Sequence, residues 1–260
     1  MLNQPTHLTC EYFSNPLGID VSRPRLSWHV NDTRRGAVQA AYQLVVAASA
    51  EALESAKGLL WDSGKVASDQ SVLVEYAGPG LVSRQRCWWR VRTWDSQDQV
   101  SPWSQPAWWE MGLLNRSDWK GQWIGSTLVG GPRTGAPSPY LRKRFRLDRP
   151  ATSARLYVTA LGLYECYING QRVGEDQFVP GRTEYAKRVQ YQTYDVTAML
   201  SAQDNAIGTI LGDGWYAGHN HSDPRMCYGD RPMLLAQLMI DHADGSTTTI
   251  ATGDTWKWFT

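Results

Sequence analysis

The stretch LGDGWYAGHNHSDP, residues Leu211–Pro224, concentrates side chains that can do chemistry. It carries Asp213 and Asp223, His219 and His221, and the rings of Trp215 and Tyr216, spaced by glycines. Three chemistries suit such a set. The first is metal ligation, in which an H-x-H pair on a strand puts both imidazoles on one face, with Asp223 and Cys227 as further donors. That spacing matches no standard structural zinc site, so no metal is assigned. The second is glycoside hydrolysis, in which an inverting enzyme holds two carboxyl groups roughly 6.5–9.5 Å apart across the sugar. Glu184, Asp195, Asp204 and Asp213 are available, but YDVT and SAQDN give Asp195 and Asp204 turn contexts, and no motif pairs two acids. No catalytic residue is therefore assigned in this chain. The third is sugar recognition, which needs an aromatic face beside planar polar groups. Asp213, Trp215, Tyr216 and Asn220 offer this in one loop. PGRTEYAKR offers Arg182, Glu184, Tyr185 and Arg188 in another. Gly212, Gly214 and Gly218 would let the first loop turn sharply. Glu184, Asp213 and backbone carbonyls could also serve a hard cation such as calcium. The competing reading packs Trp215 and Tyr216 inside a sandwich or against a neighbouring domain. It takes precedence, and the loop is not expected to be a reaction centre.

What must position these loops is a sheet framework. The chain has 260 residues, a formal net charge of +1, and 13 Trp against 4 Phe. Near-neutral charge leaves no footprint for nucleic acid or an anionic membrane. The densest basic stretch, RKRFR at Arg142–Arg146, alternates as a half-exposed strand does, which suits it better than a phosphate patch. No run approaches the ~18 apolar residues of a membrane helix. MLNQPTHLTCEYFSNP lacks the basic and apolar regions of a signal peptide, so a cytoplasmic chain is expected. No glycine-rich nucleotide motif follows a strand. Cys10, Cys87, Cys166 and Cys227 lie far apart without a C-x-x-C pair, which favours free thiols over one disulfide per domain.

Short strand-like runs dominate. AYQLVVAAS (Ala41–Ser49) reads as a strand, and AEALESAK (Ala50–Lys57) is the one helix-like piece. In CWWRVRTWD, Cys87, Trp89, Val91 and Thr93 share one face, while Trp88, Arg90, Arg92 and Trp94 share the other. The arginine stems on that second face can lie on tryptophan rings. Residues 154–170 read as two strands broken near Gly162, with a tight hairpin at Asn169-Gly170. Residues 234–252 read as a second hairpin turning at Asp244-Gly245. Ser126–Pro139 is rich in Gly, Pro, Ser and Thr and reads as an irregular loop. The domain boundary is placed near Asn115–Asp118, giving domains 1–115 and 116–260, with QWIG as the strand that opens the second. The chain is thus expected to be all-β: an immunoglobulin/fibronectin III-like sandwich, then an incomplete jelly-roll-type β-sandwich. DTWKWFT would leave Trp256, Trp258 and Phe259 exposed on a sheet edge, which favours association.

The order of segments carries a resemblance. CWWRVRTWD followed by SQDQVSPWS looks like the F strand and G-strand start of a fibronectin III or immunoglobulin-like domain, with Cys87 where a corner tyrosine often stands. NPLGIDVSRPRLSW, WDSGKVASDQSVLVEYAG, PWSQPAWWEMGLL, DWKGQWIG, ARLYVTALGLYECYINGQRVG, FVPGRTEYAKRVQYQTYDVTAML and LGDGWYAG follow one another in order. Together they resemble the N-terminal region of bacterial α-L-rhamnosidases, inverting glycoside hydrolases that release terminal non-reducing rhamnose. The resemblance implies a non-catalytic β region that supports a helical catalytic domain lying C-terminal to it, with the acid and base on that domain. It implies rhamnose-containing glycans as the partners of the whole enzyme. It also implies that the chain ends before the second β domain is finished. Arg182 departs from the family, which often has tryptophan there. The alternative reading is a free-standing carbohydrate-binding or adhesion-type module.

Overall fold

Alternating burial along CWWRVRTWD organises the first half of the chain. The computed structural model describes residues 1–220 and 224–260. It divides into two units, Met1–Asp118 and Trp119–Thr260. The first holds β1 (Thr6–Cys10), β2 (Arg25–His29), β3 (Gln39–Ala47), α1 (Ala50–Ser55), β4 (Leu59–Asp62), β5 (Val74–Glu75), β6 (Arg86–Asp95) and β7 (Ala107–Glu110). Its two antiparallel sheets run in the orders β1-β2-β5 and β4-β3-β6-β7. Cys87, Trp89, Val91 and Thr93 of β6 are buried. Trp89 packs with Trp28, Tyr76 and Trp109 in one apolar core between the sheets. The Trp28 indole donates to Gln39 Oε1 at 2.9 Å, and the Gln39 amide donates onward to the Gln70 carbonyl at 2.8 Å. A buried polar chain of this kind costs little because each group has a partner.

The opposite face of β6 forms an arginine–tryptophan ladder. The Arg86 guanidinium lies 4.3 Å from the Trp108 ring, Arg90 lies 4.8 Å from Trp103, and Arg92 lies 4.6 Å from Trp103 and 5.0 Å from Trp94. Each stack covers an indole while the charge stays near water. Trp94 departs from the simple alternation: it is buried, covered by Arg92 and by the Lys65 ammonium 5.0 Å away. The helix α1 starts where Ser49 Oγ accepts from the Ala52 N–H, and it ends at Ala56 in the left-handed region (φ 52°). It therefore stops short of Lys57.

The second unit contains β8 (Tyr140–Arg146), β9 (Ser153–Leu161), β10 (Leu163–Ile168), β11 (Gln171–Arg172), β12 (Gln192–Asp195), β13 (Asp204–Gly212), α2 (Gly214–Ala217), β14 (Met233–Asp241), β15 (Thr247–Ala251) and β16 (Lys257–Phe259). Two antiparallel sheets, β11-β10-β13-β8-β16 and β12-β9-β14-β15, enclose a core that includes Leu141, Phe145, Leu156, Val158, Ile168 and Leu238. The break at Gly162 is a change of sheet, since β9 and β10 belong to different layers. Asn169 and Gly170 take φ of 51° and 83°, the backbone a two-residue hairpin demands. The second hairpin joins Asp241 to Thr247, so its loop is longer than the Asp244-Gly245 pair alone.

Three sequence expectations change. QWIG forms a single bridge, Ile124 to Leu234, rather than a strand, and β8 is the first strand of this unit. Within QWIG, Gln122 N–H donates to the Thr252 carbonyl and Ile124 exchanges bonds with Leu234, and the pairing does not extend into a ladder. Trp256 is not left exposed: it packs on the core, and its indole donates to the Ala251 carbonyl at 2.9 Å. Trp258 and Phe259 are exposed. The short helix α2 lies inside the glycine-rich loop, where no helix is expected from composition. All four cysteines are free. Burial in the core raises the Cys87 thiol to about 12 and the Cys166 thiol to about 11. No helix among the described residues is long and apolar enough to cross a membrane.

One ion-pair network in the first unit carries a pH signature. Arg34 Nη2 binds Asp32 Oδ2 at 2.5 Å and Asp95 Oδ2 at 2.6 Å, while Asp95 Oδ1 accepts from the N–H groups of Gln97 and Gln99. These bonds hold both carboxyls below their usual range, with the Arg34 side chain as the largest cause for each. A depressed carboxyl contributes stability above its unfolded value of about 3.9, and loses it as pH falls through its lower folded value. Denaturant unfolding should therefore find Asp95→Asn less stable than the parent at pH 7. The difference should narrow as pH drops from 4 toward 2; a difference independent of pH would refute the network's role.

Candidate functional site

Two loops that sequence reading kept apart meet through their aromatic rings. Tyr185, from the PGRTEY loop, is buried, and its ring centroid lies 5.3 Å from Tyr216 at an edge-on angle of 77°. Tyr228 completes the cluster, 5.1 Å from Tyr185 and 6.5 Å from Tyr216, nearly parallel to the latter. Such pairs add about 0.5–1.5 kcal/mol each beyond the area they bury. Gly229 makes the cluster feasible, because a Cβ there would lie 2.2 Å from Tyr216 Cε1.

Backbone geometry sets the loop's path. β13 ends at Gly212, and Gly214–Ala217 then closes one helical turn, with Ala217 N–H donating to the Asp213 carbonyl at 3.1 Å. Gly214 has φ +51°, and a Cβ there would lie 2.8 Å from Leu163 Cγ. Gly218 has no room either, since its Cβ would lie 2.2 Å from the Gly214 carbonyl oxygen. Of the three glycines predicted to permit sharp turning, Gly214 is required by conformation and by contact, Gly218 by contact, and Gly212 by neither.

Asp213 is engaged in an ion pair. Its Oδ2 lies 2.6 Å from Arg225 Nη2, whose side chain is almost fully buried. The irregular loop crosses beside them, since a Cβ on Gly135 would lie 3.0 Å from Asp213 Oδ2 and 3.2 Å from Arg225 Nη1. A cavity of about 60 Å³ remains there, bordered by Ser126, Ser138, Asp213 and Pro232. That is room for water rather than for a sugar ring. Asn220 is buried, and its amide donates to the Trp215 carbonyl at 2.8 Å. Trp215 is half-buried, and Arg182, Glu184 and Arg188 are exposed. The Glu184 carbonyl accepts from the N–H groups of Lys187 and Arg188, closing a turn. Of the metal candidates, His219 is exposed, and Cys227 is exposed with its Sγ 3.5 Å from the Pro224 carbonyl. His221 and Asp223 lie outside the described residues. Among the described residues no three His, Cys, Asp or Glu side chains gather as a metal site. The sequence pointed to neither Arg225 nor Tyr228. Their one signal was position, both in PRMCYGD, the segment that follows the glycine-rich loop.

The site can therefore hold two loops rigidly and present Trp215 beside exposed charges. Among the described residues, the partner that Asp213 engages is a guanidinium, that of Arg225. Comparison with known proteins gives the two units their setting. Residues 5–115 match the Rha78A-like, N-terminal immunoglobulin domain, and residues 149–260 match the alpha-L-rhamnosidase N-terminal domain. Both units thus match N-terminal domains of α-L-rhamnosidases. The chain is 40% identical to an α-L-rhamnosidase of Formosa agariphila over 99% of this chain and 28% of that protein. An α-L-rhamnosidase of Alteromonas sp. is 39% identical over 98% of this chain and 28% of its own length. Among solved structures, the α-L-rhamnosidase from Dictyoglumus thermophilum superposes with a TM-score of 0.90 at 37% identity, over 99% of this chain and 30% of that one. The Streptomyces avermitilis α-L-rhamnosidase, solved in complex with L-rhamnose, superposes with a TM-score of 0.93 at 29% identity, over 98% of this chain and 41% of that one. The chain thus spans well under half the length of these rhamnosidases and corresponds to their N-terminal region.

The tyrosine cluster gives a direct test of loop packing. Gly229→Ala should force the Tyr216 ring out of place and destabilise the second unit by about 1–3 kcal/mol, the usual scale of overpacking. Urea unfolding and the near-ultraviolet tyrosine signal would measure it. An unchanged midpoint and spectrum would mean that the rings do not pack as described.

Proposed function

We propose that this region belongs to an enzyme that hydrolyses terminal non-reducing α-L-rhamnose residues. Its own part is non-catalytic: it supports a helical catalytic domain and shapes the approach of rhamnose-containing glycans to it. The likeness of nearly the whole chain to proteins named α-L-rhamnosidase supports the activity of the larger protein. The observation that carries the supporting role is the Asp213–Arg225 pair. Inverting hydrolysis needs two carboxyl groups turned toward the sugar, and the Oδ2 of Asp213 is turned instead to a buried guanidinium. Trp215, Arg182, Glu184 and Arg188 then act as a surface that faces glycan or a neighbouring domain, with Tyr185 and Tyr216 as the packing beneath it.

Calcium does not fit this reading. A hard cation would want several oxygen ligands, and Asp213 Oδ2 is already held 2.6 Å from Arg225 Nη2, whose positive charge opposes a second cation beside it. Glu184 stands exposed, with its carbonyl closing a turn of its own.

The test is hydrolysis of a chromogenic α-L-rhamnoside by the purified chain. Inverting hydrolysis owes many orders of magnitude to its carboxyl pair, so no partial activity is expected without it. The rate should equal that of buffer. Turnover that Asp213→Asn or Glu184→Gln removes would put a reaction centre in this chain and overturn the proposal.

A further inference from the structure

The outer face of the five-stranded sheet holds a trough unrelated to the aromatic loops. Strand alternation builds it. Leu141 and Phe145 of β8 point into the core, which turns Tyr140, Arg142, Arg144 and Arg146 outward, all exposed. Beside them β13 presents Ala206, Gly208 and Ile210, with Gly208 opposite Arg142 and Ile210 opposite Tyr140. On its other side β10 presents Tyr167 opposite Gly208 and Glu165 opposite Ile210. β16 closes the near edge, with Lys257 opposite Arg142 and Phe259 opposite Tyr140.

The small residues Ala206 and Gly208 make the floor, and larger side chains make the walls. The resulting trough has a volume of about 380 Å³, within the roughly 300–1,000 Å³ of small-molecule sites. Tyr140 and Phe259 stack at 5.3 Å and 22°, forming an aromatic shelf at one end, with both rings exposed. A second, polar hollow of about 250 Å³ continues along Arg142, Arg144, Thr255 and Lys257. Arg142, Arg144, Arg146 and Lys257 form no ion pair with any described residue. Three of these cations alternate along β8 and Lys257 faces Arg142 from the neighbouring strand ~4.8 Å away, so they repel one another unless an anion is present.

We propose that this trough binds an oligosaccharide carrying an anionic substituent, a carboxylate or a sulfate. A sugar ring lies on the Tyr140–Phe259 shelf and the anion meets Arg142, Arg144 and Lys257. The far wall argues for a sugar over a uniform polyanion. There the Tyr167 hydroxyl donates to Glu165 Oε2 at 2.8 Å, leaving carboxylate and phenol oxygens suited to accept from hydroxyl groups. A phosphate polymer would meet that carboxylate unfavourably, whereas a saccharide with hydroxyls at one end and an acid at the other satisfies both walls. The site stands apart from the hydrolysis proposed above and does not depend on it.

Titration calorimetry on this chain would test the proposal. The probes are trigalacturonate, a sulfated heparin hexasaccharide, maltotriose, L-rhamnose and a DNA oligonucleotide of matched charge. One or both anionic saccharides should bind, more weakly as salt rises, and which of them binds identifies the anion. The doubly substituted R142Q/R144Q chain should lose at least about tenfold in affinity, and Tyr140→Ala should also weaken binding. R35Q/R116Q, with the same charge change at exposed arginines outside both candidate surfaces, should bind like the parent. Circular dichroism would confirm that each variant keeps its sheets. The proposal is overturned if R142Q/R144Q binds as the parent does, if maltotriose binds as tightly as the anionic sugars, or if the oligonucleotide binds more tightly than either. It is equally overturned if no saccharide binds, including the case in which the face instead joins a second copy and R142Q/R144Q alters only the monomer–dimer balance.

Discussion

The second unit depends on one close backbone approach. Gly162, at the corner where β9 leaves one sheet and β10 enters the other, has φ +118°. A Cβ there would lie 2.4 Å from the Gly212 carbonyl oxygen and 3.3 Å from that of Asp213. Gly214 answers from the other side, with its own Cβ position 3.1 Å from the Gly162 carbonyl carbon. The corner of the sandwich and the start of the aromatic loop are therefore one contact. It fixes where Asp213 leaves the sheet, and so where the Asp213–Arg225 pair and the tyrosine cluster form. No side chain larger than hydrogen fits the corner.

The first unit is ordered by a different constraint, the disposal of bulky indoles. Trp28, Trp89 and Trp109 go inward, while Trp103 and Trp108 remain nearer the surface under arginines. Each unit thus holds its sheets by its own means.

Much of this was legible in the sequence. Period-two alternation gave β6 its two faces and β8 its outward arginines, and Asn169-Gly170 located a hairpin. Such signals are local, fixed by residues within a few positions of one another. What escaped was non-local. Trp256 looked exposed because the core it packs on is built from residues far back along the chain, such as Leu141 and Leu156. QWIG looked like a strand because its composition is strand-like, yet only one bridge finds a partner. Asp213 looked available because Arg225 lies beyond a loop whose path the sequence alone does not fix. The glycine-rich loop itself was visible as a place where the backbone must turn, but its helical turn follows from the contact with Leu163 and Gly162.

Amide hydrogen exchange on Gly162→Ala tests the central claim most directly. If the corner contact holds the loop, peptides from Leu211–Asn220 should lose protection, while those from the adjoining strands Ser153–Leu161 and Met233–Asp241 keep theirs. Unchanged protection in Leu211–Asn220, in a variant that folds with the parent's sheet content, would contradict the claim that this contact sets the site.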